Sequence, residues 1–363
     1  MEEIKVRAPG RINLIGEHTD YNRGFVLPCA IDKEITVQGV KREDQKIILH
    51  SLNFDRKVEI NLQEKLKRRG DWSDYPLGVI DQYQKKGFSL SGMELKISGN
   101  IPLGAGLSSS AALEVATALF IKTLNNLKIT KEEMGILCQK AENEFVGVSC
   151  GIMDQFASLL SRKDFALFLD CRDLSYSYVP LPFAGYKLVL TDTKKSRKLS
   201  ASAYNQRREE CEKAAELLSI NLRDISPRQF SGLKGKLPLV LQKRVQYVVE
   251  ENERVLLAVE NLKKNDLVSF GKLLYLSHYG SRDLYEVSCA ELDFIVDAGK
   301  KIEGVMGGRV TGAGFGGCTI HIIKEENVKE FQEKVGMSFL KRFHHRPDFY
   351  LCVTAPGASF IKE

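Results

Sequence analysis

The sequence predicts an α+β protein of two domains, on three observations. Short β-rich segments run into helices through the first half. The pattern pauses at Pro180-Leu-Pro182. Beyond that pause a fresh strand-like segment opens a half built from long helices and closing strands. With 363 residues, 43% hydrophobic and 28% charged, the chain is long enough for two separate cores. The boundary is therefore set after Phe183, giving domains of residues 1–183 and 184–363.

In chain order, the β-branched and apolar runs at 35–40, 46–51, 57–60 and 93–97 predict strands, and the Ala- and Leu-rich stretches 111–127 and 131–145 predict helices. After the boundary, Tyr-Lys-Leu-Val-Leu-Thr at 186–191 predicts a strand. Helices follow over 203–218, 239–262 and 266–276, then a strand at 319–323, a helix at 328–343 and a last strand at 348–354.

The excess of 53 Lys and Arg over 47 Asp and Glu, a net charge of +6, is modest. Its clusters at 65–69 and 194–198 carry no interleaved aromatics, so they read as solvated faces and not as a nucleic-acid surface. An anionic small molecule such as a nucleotide suits the balance equally well. The eight cysteines are far apart, without C-x-x-C or zinc-ligand spacing, and predict reduced, mostly buried thiols. Met-Glu-Glu-Ile-Lys-Val has no apolar signal core, and no apolar run reaches the ~18 residues of a membrane span. A cytoplasmic protein with no membrane partner is expected, acting as a monomer.

Candidate chemistry begins with Pro102-Leu-Gly-Ala-Gly-Leu-Ser-Ser-Ser-Ala-Ala112, which follows a predicted strand and opens a predicted helix. Gly104 and Gly106 let the backbone of Ala105 and Leu107 turn N–H groups inward. Ser108, Ser109 and Ser110 sit at the positive end of the helix, an arrangement suited to a polyphosphate. No G-x-x-x-x-G-K-[ST] occurs in the chain, so this is not the lysine-bearing P-loop.

Upstream, Gly10-Arg-Ile-Asn-Leu-Ile-Gly-Glu-His-Thr-Asp-Tyr-Asn22 packs Arg11, Glu17, His18, Thr19 and Asp20 into what reads as a polar loop, either a ligand site or a capped turn. Arg11 is a permanent cation able to offset developing negative charge. The run 141–156 ends a helix at Gly147, turns through Gly151 and resumes near Asp154. That leaves Asp154 as a base for a substrate hydroxyl or as a helix cap, and puts Glu142 within reach of a hard cation held by phosphates. Arg309-Val-Thr-Gly-Ala-Gly-Phe-Gly-Gly-Cys318 contains a formal G-x-G-x-x-G. It feeds a β-rich run and not a helix, so it reads as a close backbone approach to a ligand or to the other glycine loop.

These three motifs, in this order, resemble those of the GHMP small-molecule kinases, and within them the branch that phosphorylates galactose. Further matches run between them: Cys150-Gly-Ile-Met-Asp-Gln155, Leu169-Asp-Cys-Arg172, Tyr204-Asn-Gln-Arg-Arg-Glu-Glu-Cys211, Ser277-His278 and the stretch 282–293. The resemblance implies a two-domain GHMP fold with its site in the interdomain cleft. It also implies a sugar 1-kinase that transfers the γ-phosphoryl group of ATP to the anomeric hydroxyl of D-galactose, with another sugar or a non-catalytic sensor as alternatives. Asp154 is implied as base or positioning group, and Arg11 as transition-state stabiliser. Glu17, His18, Thr19, Asp20, Gly151 and Tyr204 are implied at the sugar, and Gly104, Ala105, Gly106, Leu107, Ser108, Ser109 and Ser110 around the triphosphate. Ser110 and Glu142 are implied at Mg²⁺. Trp72, in Trp-x-x-Tyr-x-x-Gly, is either near the adenine or core packing. Two departures bear on the sugar: Arg197 and Lys195 stand where the family commonly has His and an apolar residue, and Phe165 stands where His is often found.

Overall fold

The computed structural model describes residues 3–102, 104–195 and 200–361. In chain order the elements are β1 (Ile4–Asn13), β2 (Phe25–Val26), β3 (Pro28–Arg42), β4 (Lys46–Ser51), β5 (Arg56–Asn61), α1 (Asp74–Lys85), β6 (Gly92–Gly99), α2 (Ser109–Leu124), α3 (Lys131–Lys140), a π-helical turn (Ala141–Val146) and α4 (Met153–Leu160). They continue with β7 (Phe165–Asp170), β8 (Tyr176–Pro180), β9 (Tyr186–Asp192), α5 (Ser200–Leu218), α6 (Pro227–Leu233), α7 (Leu239–Lys263), α8 (Leu267–Asp283), α9 (Ala290–Gly299), β10 (Val305–Thr311), β11 (Cys318–Lys324), α10 (Val328–Phe343), β12 (Asp348–Cys352) and β13 (Ser359–Phe360).

Three sheets organise these elements: a six-stranded one in the order β13-β1-β3-β6-β4-β5, a four-stranded one, β10-β11-β9-β12, and a three-stranded one, β2-β7-β8. The pairings are antiparallel except β4 with β6. One apolar core fills the space between the large sheet and α1 to α4. A second draws Ile12 and Leu14 together with Leu190, Phe270 and Ile320, so residues near both ends of the chain share it.

The predicted α+β class holds, and α10 and β4 match their predicted bounds. The polar loop predicted around Arg11 is different: residues 4–13 are strand β1, and only Leu14 onward leaves the sheet. Nearly every β1 side chain from Ala8 to Asn13 is buried, so the alternation that marks a half-exposed strand is missing. Short β2, β7, β8 and β10 and helices α1, α6 and α9 were also not anticipated.

The register of β1 against β3 slips between Pro9 and Arg11. There the Arg11 N–H leaves the ladder and donates to the Leu107 carbonyl at 3.1 Å. A Cβ at Gly10 would lie 2.7 Å from that same oxygen, so the irregularity and the glycine together bring strand and glycine-serine loop into contact. This contact places Arg11 beside the head of α2.

Candidate active site

A cavity of about 400 Å³ lies where β1, the glycine-serine loop, the start of α4, α5 and the β10–β11 connection converge. Arg11, Glu17, His18, Asp20, Ser110, Glu142, Gly151, Asp154 and Tyr204 all line it. Residues dispersed over nearly two hundred positions of sequence are thus brought together.

At its centre is a two-pronged ion pair. Arg11 Nε donates to Asp154 Oδ1 at 2.7 Å and Nη2 to Oδ2 at 2.9 Å, while Nη1 donates to the Gly106 carbonyl at 2.8 Å. Ser108 takes a left-handed conformation (φ 57°) just ahead of α2 and turns its hydroxyl onto Asp154 Oδ2. Asp154 stands in the first turn of α4 and the residue before that helix is Ile152, so its carboxylate is free to face the cavity. Burial alone would depress the Arg11 guanidinium, yet the carboxylates of Asp154, Glu17 and Asp20 hold it above its ordinary value. It is a permanent cation in this site.

Three further carboxylates near this ion pair are raised above their ordinary values. Burial, reinforced by repulsion from Asp154, pushes Asp20 up to about 7. The same two causes raise Glu142, against hydrogen bonds from Cys150, Ser110 and Gln155. Behind it, fully buried Glu114 is raised by burial and by Glu142, and Gln155 Nε2 bridges the two at 3.1 and 2.8 Å. A raised carboxylate stabilises the fold below its unfolded-state value and loses that contribution as pH climbs through the folded one. Without ligand, the thermal midpoint of the wild type relative to Asp20→Asn is therefore expected to fall between about pH 4 and 7 and to level off above. Paired melts across that range test this; a constant difference would contradict the burial of the carboxylate.

Other residues singled out in the sequence take different places. His18 is pushed down to about 3 by burial and stays neutral. Its Nε2–H donates to the Ala313 carbonyl at 3.2 Å, so Nδ1 accepts the Tyr21 hydroxyl at 2.9 Å, and both ring nitrogens are engaged within the protein. Thr19 corrects an expectation: it is fully buried, with its hydroxyl given to the Gly16 and Phe25 carbonyls, so it holds the loop together and does not face the cavity. Ala105 and Leu107 bury their side chains in the second core, leaving only their backbone toward the loop. A Cβ on Gly151 would meet Asp20 Oδ2 at 2.0 Å, so the bare backbone there makes room for the acid.

Next to this cavity is a smaller, apolar chamber of about 240 Å³, lined by Ile35, Phe54, Trp72, Ile97, Ile101 and Leu113 among others. Tyr75, Ser109 and Ser110 also line it, and Tyr75 and Ser110 belong to both spaces, so the serines mark the passage between a polar and an apolar room. Trp72 packs on the first core and also walls this chamber, with its Nε1 unpartnered among the described residues. Tyr75, Cys150, Asn205 and Ala313 were not picked out from the sequence; Tyr75 was legible only as the second aromatic of the Trp-x-x-Tyr run.

The connection between β10 and β11 lies against the glycine-serine loop: at Gly312 (φ 81°) a Cβ would be 3.2 Å from the Gly106 oxygen. Of the two departures, Lys195 pairs with Glu291 at 2.8 Å, and Phe165 packs on Tyr178 in the small sheet. Neither lines either space, and Arg197 lies outside the described residues.

Comparison with known proteins agrees with this arrangement. The galactokinase galactose-binding signature matches residues 2–41, the GHMP kinases N terminal domain residues 74–162 and the GHMP kinases C terminal domain residues 258–339. A galactokinase of Thermosipho africanus is 44% identical over 360 residues, covering 99% of this chain and all of its own. The crystal structure of Lactococcus lactis galactokinase complexed with galactose superposes with a TM-score of 0.97 at 37% identity, covering 99% of this chain and 95% of that one. Methanococcus jannaschii mevalonate kinase shares the fold, with a TM-score of 0.69 at 21% identity over 98% of this chain and 99% of its own. A full-length match at this identity, with the first motif at the polar cavity and the second at its junction with the apolar chamber, shows that the chain belongs to the galactokinase family of GHMP kinases.

Proposed function

We propose that the chain transfers the γ-phosphoryl group of ATP to the anomeric hydroxyl of D-galactose, giving galactose 1-phosphate and ADP. The observation that carries this reading is the Arg11–Asp154 ion pair, set between an acid-lined polar cavity and the serine-rich entry to an apolar chamber. The sugar occupies the polar cavity with hydroxyls toward Asp20, Glu17, the Gly151 backbone and Tyr204, and with its anomeric oxygen at Asp154. The triphosphate lies over Gly104, Gly106 and the serines, and the adenine enters the apolar chamber beside Trp72.

In the reaction, the O1–P bond forms as the bond from Pγ to the β,γ-bridging oxygen breaks, and the O1 proton passes to Asp154. Arg11, held in one orientation by Asp154 and the Gly106 carbonyl, offsets the charge on the transferring group.

The residues present fit a magnesium ion. Ser110 and Glu142 are oxygen donors at the junction, in a cluster with more carboxylate than Arg11 can balance. Among the described residues no group of three or more His, Cys, Asp or Glu side chains could hold a metal, so the protein would offer few ligands and the phosphates the rest, as suits this cation. Held there by Ser110 and Glu142, the ion would offset phosphate charge.

The eight cysteines form no disulfide and five of them are buried, which suits a reducing cytoplasm. Among the described residues no helix is long and apolar enough to cross a membrane.

The test is a coupled ADP assay over D-galactose, N-acetylgalactosamine and L-arabinose. Galactose is expected to have the highest kcat/KM by at least tenfold; a higher value for either other sugar would overturn the substrate assignment.

A further inference from the structure

The mechanism makes no use of Arg309, yet among the described residues it is the largest fully buried side chain. A guanidinium out of water survives only with partners, and its partners here are informative. Nη1 donates to Glu17 Oε1 at 3.1 Å and to the Asn13 carbonyl at 3.3 Å, and Nε donates to Ser277 Oγ at 3.1 Å. Nη2 points toward Glu251, 4.0 Å away. Glu251 in turn accepts the Gly16 N–H at 2.9 Å, the Ser277 hydroxyl at 2.5 Å and Arg254 Nε at 2.7 Å. From β10, α7 and α8, a buried ionic frame thus grips the backbone and side chains of residues 13–17.

Glu17 is held most firmly. Its Oε1 accepts from Arg309 and from the Gly312 N–H at 2.8 Å, and its Oε2 accepts from Asn13 Nδ2 at 3.1 Å. That leaves Oε2 as the oxygen with acceptor capacity to offer the cavity that Glu17 lines. The same glycine motif also takes the His18 Nε2–H on its Ala313 carbonyl. Glu17, His18, Gly312 and Ala313 line the polar cavity, and none of Arg309, Gly312 or Ala313 lines the apolar chamber.

We propose that Arg309 is a positioning residue for the sugar, fixing the orientation of Glu17 from behind, so that the third glycine motif serves sugar recognition while the glycine-serine loop serves the nucleotide. The inference rests on the reading of the polar cavity as the sugar site, and deepens it.

The test is steady-state kinetics on Arg309→Lys, with whichever sugar the wild type turns over best, so that failure of the galactose assignment leaves the test intact. Lysine keeps the charge but cannot bridge Glu17, Asn13 and Ser277 together. The sugar KM is expected to rise about tenfold or more, since a hydrogen bond to a charged group is weakened, while the ATP KM stays within about twofold. A sugar KM changed less than about threefold in folded protein, or sugar and ATP KM rising in parallel, would overturn the proposal. If Arg309→Lys fails to fold, Ser277→Ala decides. It removes the acceptor for Arg309 Nε, and the same selective rise in sugar KM, at least about threefold, is required of it.

Discussion

Asp154→Asn is expected to lower kcat by about 10²- to 10⁴-fold while leaving sugar binding within a few-fold of wild type. Asparagine keeps the volume and one oxygen for Arg11, so the pocket retains its shape. What is lost is the carboxylate proposed to receive the anomeric proton and the second arm of the ion pair. The sugar contacts proposed for Asp20, Glu17 and Tyr204 are untouched, so the loss is expected to fall on turnover. A coupled ADP assay with isothermal titration of the sugar separates the two terms; near-normal kcat in a folded variant would remove Asp154 from the chemistry.

Arg11→Met is the second large effect. Removing a preorganised donor aimed at developing charge typically costs about 10²- to 10³-fold in kcat. Here the substitution also strips the cation from a site holding Asp154, Asp20, Glu17 and Glu142. The Gly106 carbonyl loses its donor as well, so the nucleotide loop loosens and the ATP KM rises alongside the fall in kcat. Arg11→Lys restores the charge without the two-pronged geometry, and is expected to recover part of the nucleotide binding but little of the rate. If Arg11→Met kept kcat within about tenfold, the arginine would be only a structural partner of Asp154.

The sequence made the second motif easiest to read. Glycines and serines between a strand and a helix state a backbone conformation directly, and Gly104, Gly106 and the left-handed Ser108 adopt it. Asp154 was legible as a candidate because Gly147 and Gly151 bracket a break between helices, and that break is present. Arg11 was legible as a charge but not as the end of a strand. Burial on both faces of β1 removes the pattern by which strands are recognised. The resemblance implied His18 and Thr19 at the sugar; His18 lines the cavity, whereas Thr19 turns its hydroxyl inward to the Gly16 and Phe25 carbonyls. Arg309 was visible only as the residue heading the third glycine motif, and Glu251 had no local signal. An ion pair between residues this far apart is a tertiary fact, invisible to periodicity.

That distance bears on how the molecule is made. Glu17 meets Arg309 and Gly312 across 292 and 295 positions of chain, and β1 pairs with Ser359 and Phe360. During synthesis the acid is laid down 292 residues before Arg309 emerges from the ribosome, and one edge of β1 stays unpaired until β13 follows. Loop closure on this scale is slow, and an uncovered strand edge invites intermolecular pairing. The pocket is accordingly completed only once residues 309–312 have been made, and the yield of active enzyme depends on keeping the growing chain apart from its neighbours until then.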